Sequence, residues 1–570
     1  GSSGNQFTCS NGQWTNLWYD ADIHSILFAH RSNDQAGWPT TGFVACDYST
    51  DNGATWSADQ GPIYADSLNT FRARFPQAVI YNPAGNTSPS NAYFSTFGIA
   101  HDGTGYAGYF EGTVPVNLSY PEQNALPFIT NGFNTLMPQS GLIVKNTGTQ
   151  WWSAEGFDGT GYNDSIIISK GIFNSALQQF SYTFQKVNIP VKTTNTGKKI
   201  FYNQAITFND EGNIGYLAVL GNDWVNTNTF KDSAMGIIIY ASTDSGYTWN
   251  RLTGISLNDL DPQLLNNGSS YQAGYTLDIG VDKNNNLHVV LPVLPHAIGN
   301  EISYWLNQPV SRSWGIFDIS TNNGLAWNGC LVAYPETYYG AFGNMQFVYE
   351  DNRAQFSRSW DGSKLFFTWF DTDTLLYGPG LNNFPDMHAV GYDVDQNLWT
   401  NEFNFTEGTG LQADGMCYFG NISYYTINDG VNENIPMVYD SLDFTSVNNP
   451  VYFSYLGGAA VSGYANPGQC IQLINAVAEN NFKSLTFSVS SPYPNPFSNK
   501  SCVDVTIPNS SDLKVEITNF LGQILSSTVN KNQPAGKITL TFDGTELSPG
   551  LYFYSVKSGN ESATKMMCVE

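Results

Sequence analysis

Residues 205–220 read AITFNDEGNIGYLAVL: an alternating apolar and polar run, a turn around Asp210, and a second run rich in Leu, Val and Tyr. Alternation on both sides of a Gly-containing turn marks a β-hairpin, because strand side chains point to opposite faces with period two. The same form returns as DIGVDKNNNLHVVLPVL (278–294) around Asp282, FSRSWDGSKLFFTWF (356–370) around Asp361 and ISYYTINDGVNENIPMVY (422–439) around Asp429. Looser versions centre on Asp20, Asn82 and Asn146. Successive centres lie 62, 64, 64, 72, 79 and 68 residues apart, and so steady a period over seven units is the signature of a repeat architecture.

A second pattern keeps phase with the first. STDNGATW (49–56), STDSGYTW (242–249) and STNNGLAW (320–327) place Asp51, Asp244 and Asn322 at 31, 34 and 40 residues after Asp20, Asp210 and Asp282. The hairpin is thus the first connection of each unit and the octapeptide the third. Four antiparallel strands per unit, repeated seven times, predict an all-β chain folded as a seven-bladed β-propeller over residues 1–458. Six or eight blades are the competing counts. The last unit ends one strand short after PVYFSYLGG (450–458), and NQFTCS (5–10) is expected to supply the missing strand.

Composition fits. Aromatic residues make up 15% and charged residues 12%, with 54 Gly and 26 Pro, which favours short strands and tight turns over charged helices. The net charge of -25 argues against nucleic acid and anionic membranes as partners and suits an extracellular protein. The sequence contains no run of 18 or more apolar residues, so no transmembrane segment is expected. Its first residues, GSSGNQ, read as a processed or trimmed N-terminus. The seven dispersed cysteines (Cys9, Cys46, Cys330, Cys417, Cys470, Cys502, Cys568) show no zinc-ligand spacing. They allow one or two disulfides whose pairing the sequence leaves open.

The octapeptides resemble the Asp-box, S-x-D-x-G-x-x-W, of sialidase-like β-propellers. The matching residues are Ser49, Asp51, Gly53 and Trp56; Ser242, Asp244, Gly246 and Trp249; and, more loosely, Ser320, Asn322, Gly324 and Trp327. The resemblance implies an outer hairpin in which Asp accepts backbone hydrogen bonds, Gly takes a positive φ and Trp packs beneath the loop. Its role there is structural.

Sialidase chemistry would further need an arginine triad, a Tyr/Glu nucleophile pair and an Asp acid. Only seven arginines occur: Arg31, Arg72, Arg74, Arg251, Arg312, Arg353 and Arg358. Arg74-Phe75-Pro76 faintly resembles the R-I-P motif that opens sialidase propellers, but it follows the first octapeptide and so falls in the second blade. No catalytic set stands out. Arg74, Asp278 and Arg358 are the inner-strand residues that a catalytic funnel would draw on. Other glycosidases need two carboxylates roughly 5–10 Å apart, and no pair can be selected among 48 acidic residues. Asp282, Asp371, Asp373, Asp393 and Asp395 lie in acidic clusters that suit either calcium or simple Asx turns, the turns being the plainer reading. No cofactor is expected, calcium being the one candidate. Trp151-Trp152, Tyr338-Tyr339 and Tyr424-Tyr425 are candidate sugar platforms, although neighbours on a strand face opposite ways, so one of each pair belongs to the core.

Beyond Gly458 the pattern changes. Residues 459–491 read as a connector, and 492–570 as a small Ig-like β-sandwich with alternating strands such as VDVTI (503–507). Tyr493-Pro494-Asn495-Pro496-Phe497, the turn at 519–523 with Gly522, Gly550-Leu551-Tyr552 and Lys565 near the end follow one another in a characteristic order. They closely resemble the C-terminal sorting domain of the type IX secretion system of Bacteroidota-lineage bacteria. That resemblance implies Sec export, passage through the outer-membrane translocon, and a secreted or outer-surface location. It also raises the question of why the domain is present: natural retention, capture before cleavage, or protection by a partner.

These readings converge on an exported surface propeller acting in adhesion, ligand binding or assembly. Its partners would be the translocon during export, then a surface scaffold, a glycan or a protein ligand, with homo-oligomerisation open. A secreted glycan-active hydrolase is the alternative.

Overall fold

A computed structural model describes residues 1–6, 8, 15–66, 68–118, 135–145, 147–157, 162–189, 191, 201–221, 235–252, 255–260, 264–265, 270–296, 314–322, 324, 326–337, 340–341, 349–350, 352–377, 382, 384–409, 411, 418–443, 446, 448–473, 487–507, 511–533, 536–545, 547–559 and 561–570. Seven antiparallel sheets form the blades of a β-propeller. Blade 1 runs Leu17–Asp20, Ser25–Arg31, Val44–Ser49 and Ser57–Tyr64. The first strands of blades 2 to 7 are Arg72–Tyr81, Thr135–Val144, Phe201–Phe208, Asp278–Val281, Gln355–Arg358 and Tyr418–Ile422. Strands alternate in direction within a blade. The first and third turns therefore share one rim, the turn rim, while second connections and inter-blade crossovers share the opposite, crossover rim.

Second strands are sandwiched between neighbouring blades. Every residue of Ser25–Arg31 and of Gly215–Gly221 is buried, so these strands lose the alternation expected of a half-exposed sheet. Aromatic side chains fill the seams between blades: Trp151 stacks on Phe208 at 4.1 Å, Tyr48 meets Phe94 at 5.3 Å and Phe28 meets Phe453 at 4.8 Å. Here lies the use of the high aromatic content. Trp151 and Trp152 are both fully buried in such seams, and Tyr425 is buried as well, so none is a sugar platform. Tyr338 and Tyr339 lie outside the described residues.

The ring closes through the N-terminal segment, which pairs Ser2 with Tyr452 and Ser3 with Val451 on the Val451–Leu456 strand of blade 7. The pairing residues precede the 5–10 stretch that the sequence suggested. Residues 459–491, which read as a connector, contain three short strands among the described residues: Ala460–Val461 adds to Glu433–Asn434, Cys470–Leu473 adds to the outer strand Ala326–Ala333 of blade 5, and Ser488–Val489 already belongs to the C-terminal sandwich. Cys330 and Cys470 form a disulfide across that last pairing. Cys46, Cys502 and Cys568 are free thiols, while Cys9 and Cys417 fall outside the described residues.

The C-terminal unit is a sandwich of two sheets. One holds Ser488–Val489, Lys500–Ile507 and Gly536–Asp543; the other holds Ile524–Gln533, Ser511–Asn519, Gly550–Ser558 and Glu561–Val569. Val503, Val505 and Ile507 face Leu513, Tyr554, Val556 and Met567 in one apolar core. Their spacing of two is the alternation visible in the sequence.

Candidate functional site

The Tyr493–Phe497 stretch of the sorting motif is knotted to the last strand of the sandwich, while its other residues stand elsewhere in the same unit. Tyr493 exchanges backbone hydrogen bonds of 2.9 Å with Cys502, and its hydroxyl donates to Asp504 Oδ1 at 2.9 Å. Asn495 Oδ1 accepts from Cys568 N at 2.7 Å, and Phe497 is buried in the core. The first residues of the domain are thereby stitched to its last strand. Tyr552 donates its hydroxyl to Ser548 O at 2.7 Å, and Lys565 lies across from Tyr554. Gly522 has φ 78, and Asn519 Oδ1 accepts from Leu521 N and Gln523 N, a turn that leaves Phe520 and Leu521 exposed.

In the propeller, the octapeptides are third turns on the turn rim. Asp51 accepts from Thr55 N at 2.9 Å and Thr55 Oγ1 at 2.6 Å, while Ser49 Oγ takes Gly53 N at 2.9 Å. Asp244 repeats this with Thr248 N at 2.8 Å and Thr248 Oγ1 at 2.6 Å, and Ser242 Oγ takes Gly246 N at 2.9 Å. Gly53 and Gly246 have φ 86 and 77, a conformation that a Cβ disfavours. In the third copy, Thr321 Oγ1 accepts from Gly324 N at 3.0 Å and Trp327 is fully buried. The Asn322 side chain and Asn146 lie outside the described residues.

The three funnel candidates do not converge. Asp278 lines a central cavity of about 30 Å³ with Thr15, Ser140 and Gln355. Its carboxylate accepts from Phe356 N and Ile279 N, both at 2.9 Å, and burial pushes it up to about 7. Arg358 lies farther along its strand, donating to Val281 O at 2.7 Å and to Asp210 Oδ2 at 3.0 Å. Asp210 also pairs with Lys145 at 3.0 Å, so one carboxylate serves both of these turn-rim cations. Arg74 sits at the crossover rim.

The calcium candidates are likewise dispersed. Asp282 accepts from Asn284 N and Asn286 N at 2.8 Å, Asp373 from Leu375 N at 2.7 Å, and Asp393 from Asp395 N at 2.9 Å, all Asx-type turns. Asp395 pairs with Lys283. Asp371 lines a cavity of about 220 Å³ with His388, Glu402 and Trp369, but its Oδ1 accepts from Thr337 N at 2.8 Å and Thr337 Oγ1 at 2.6 Å, and its Oδ2 from Glu336 N at 2.5 Å. Among the described residues, the triad close enough to share one ion is His30, Asp47 and Asp59, where the Gly1 amino nitrogen lies 2.9 Å from Asp47.

One grouping had no sequence signal beyond ARFP. Arg31, at the end of blade 1's second strand, and Arg72 and Arg74, at the start of blade 2, flank the same short loop on the crossover rim. Arg31 is fully buried, donating Nη2 to Thr41 Oγ1 at 3.1 Å and Nη1 to Asn5 Oδ1. The next residue of that loop, Gly42, packs against the Arg72 side chain, and its carbonyl accepts from Ala73 N at 2.8 Å. His101 lies across from Arg72 and is edge-on to Tyr106 at 5.8 Å. The Nε atoms of Arg31 and Arg72 are buried with no acceptor. Burial, with Arg74 and Arg72 nearby, pushes the Arg31 guanidinium well below its ordinary value.

Residues 491–570 match the secretion system C-terminal sorting domain family. The chain thus carries the address for type IX export to the cell surface or beyond. Among the described residues, no helix is long and apolar enough to cross a membrane. No curated protein matches the chain. Among solved structures it is similar to PorZ, a surface component of the type-IX secretion system of Porphyromonas gingivalis, at 12% identity and TM-score 0.36 over 98% of this chain and 59% of that one. The chain therefore spans about three fifths of the length of PorZ. It is also similar to the polysaccharide lyase Uly1 (9% identity, TM-score 0.42, 79% of this chain and 90% of that one). A third likeness is the NanB sialidase of Streptococcus pneumoniae (11% identity, TM-score 0.33, 83% and 70%).

Proposed function

We propose that this exported protein is a non-catalytic surface receptor or adhesin whose propeller binds an extracellular ligand on its crossover rim. The observation that carries the reading is a pair of arginines on the crossover rim whose buried donors meet no acceptor. On the turn rim, Lys145, Lys283, Arg358 and Lys364 each pair with a carboxylate. On the crossover rim, Arg31 and Arg72 form no ion pair among the described residues and keep unsatisfied donors. Buried donors without acceptors are costly, and a bound ligand is one means of satisfying those of the half-buried Arg72. Among the described residues, Asp278 is the one acid lining the central cavity, which has room for about one water molecule. Acid–base cleavage of a glycosidic bond needs two carboxylates flanking a sugar.

The test applies the purified full chain to a panel of acidic and neutral glycans and to bacterial surface extracts. Saturable binding without release of reducing sugar is the expected result. Release of reducing ends or of unsaturated sugars would overturn the non-catalytic reading.

A further inference from the structure

Arg31 is the most demanding charge in the propeller: a guanidinium with no exposed surface and, among the described residues, no carboxylate in contact. Its nearest acidic influence is the exposed Asp34, while Arg74 and Arg72 lie close enough to oppose its charge. Buried guanidinium groups are ordinarily paired, because removing the charge from water is expensive. The two other buried arginines follow that rule or satisfy their donors. Arg358 pairs with Asp210, and Arg353 donates Nε to Gly420 O at 2.8 Å and Nη2 to Asn421 Oδ1 at 2.7 Å.

The backbone beside the cluster is also unusual. The pairing of Arg72–Tyr81 with Tyr93–His101 shifts register between Arg74 and Gln77, and Phe75 takes φ 50, a region sparsely used by residues with a side chain. A bulge of this kind changes the direction in which neighbouring side chains project, and such strained positions concentrate at binding and catalytic sites. Here it re-aims the strand directly after Arg74.

We propose that Arg72 and Arg74, backed by Arg31 and His101, form a site for an oxyanion: the carboxylate, sulfate or phosphate group of an acidic ligand. The proposal rests on the crossover-rim reading above and supplies its ligand class. Guanidinium groups present several N–H donors in a rigid plane, which suits bidentate contact with such groups better than an ammonium does. Arg72 and Arg74 are half-buried and supply the contacts. Arg31 is a positioning residue. Tied to Asn5 and Thr41, it holds positive charge behind the loop that carries Gly42. The net charge of -25 opposes anions at long range, so affinity must come from this local arrangement.

The experiment is calorimetric titration and thermal denaturation of the full chain with sodium sulfate, sodium phosphate and glucuronate against sodium chloride at equal ionic strength, with glucose as the neutral control. Saturable binding of at least one oxyanion, absent for glucose and chloride, is expected. Arg72→Gln and Arg74→Gln should each weaken it about tenfold, the effect of one lost charge-assisted hydrogen bond. Arg72→Lys keeps the charge but loses the planar fork, and should fall between Arg72→Gln and the parent. Lys283→Gln, on the turn rim, should change nothing, and each variant's unfolding midpoint reports whether it is folded.

No saturable response, or an equal response in the parent and both Gln variants, would overturn the site. A polygalacturonate arm separates the sources. Tighter, arginine-dependent binding of the polymer supports an acidic polysaccharide, and parity with glucuronate supports a free anion. Binding of neutral glycans that survives Arg72→Gln would leave the surface-receptor reading standing without the oxyanion site. Oxyanion binding with no binding to any surface extract would do the reverse.

Discussion

Asp244 shows what a single residue contributes. Its two oxygens collect Thr248 N, Thr248 Oγ1 and Ser242 Oγ, and it is nearly buried. Replacing it with Ala strips those donors of their acceptor at once, so Asp244→Ala should cost about 1–3 kcal/mol in urea unfolding. Asp51 makes the same bonds at an exposed turn, where water can substitute, so Asp51→Ala should cost less. Equal losses would show that burial does not set the energetics of these turns. The role of Asp244 was legible in the sequence, because Ser, Asp, Gly and Thr at fixed spacing encode a local hydrogen-bond pattern. Arg31 was not legible. Nothing in SILFAHR (25–31) says that its arginine is buried beside two others, because those contacts come from another blade.

Among the elements, the strap after the last blade departs most from the sequence reading. A polar stretch with Gly and Pro reads as connector, yet Cys470–Leu473 adds a strand to the outer edge of blade 5, locked by Cys330. Edge strands have no pattern requirement on their solvent side, so composition alone does not reveal them. The disulfide closes a separation of 140 residues, which restricts the unfolded chain strongly. Cys330→Ser should lower the stability of the oxidised protein by about 2–5 kcal/mol, and Cys470→Ser should match it. Reduced parent should approach both variants in unfolding midpoint; an unchanged midpoint on reduction would contradict the assigned role of the strap. The hairpins, by contrast, fall where alternation and Asp/Asn-Gly turns placed them, because both signals are local.

Over the whole molecule, buried carboxyls set the response to pH. Burial raises Asp20 to about 6, Glu155, Asp278 and Asp371 to about 7, and Glu111 to about 8. A carboxyl whose folded value exceeds its unfolded one contributes stability that is complete below the unfolded value. That contribution is lost as pH rises through the folded value. The unfolding midpoint should therefore fall steadily between about pH 4.5 and pH 8. Glu111→Gln and Glu155→Gln should flatten that fall and raise stability at pH 8, whereas a midpoint that rises across this range would contradict the burial of these groups. Taken alone, the sequence determined the blade repeat, the turn chemistry and the export address, because strand alternation, Asx turns and the sorting motif are encoded within short segments. Only the tertiary structure decided that Ser2–Ser3 closes the ring, that Asp278, Arg358 and Arg74 stand apart, and that Arg31, Arg72 and Arg74 stand together. Those relations depend on which blades become neighbours and on how far each strand runs toward a rim, and charge balance between blades is not written in any one of them.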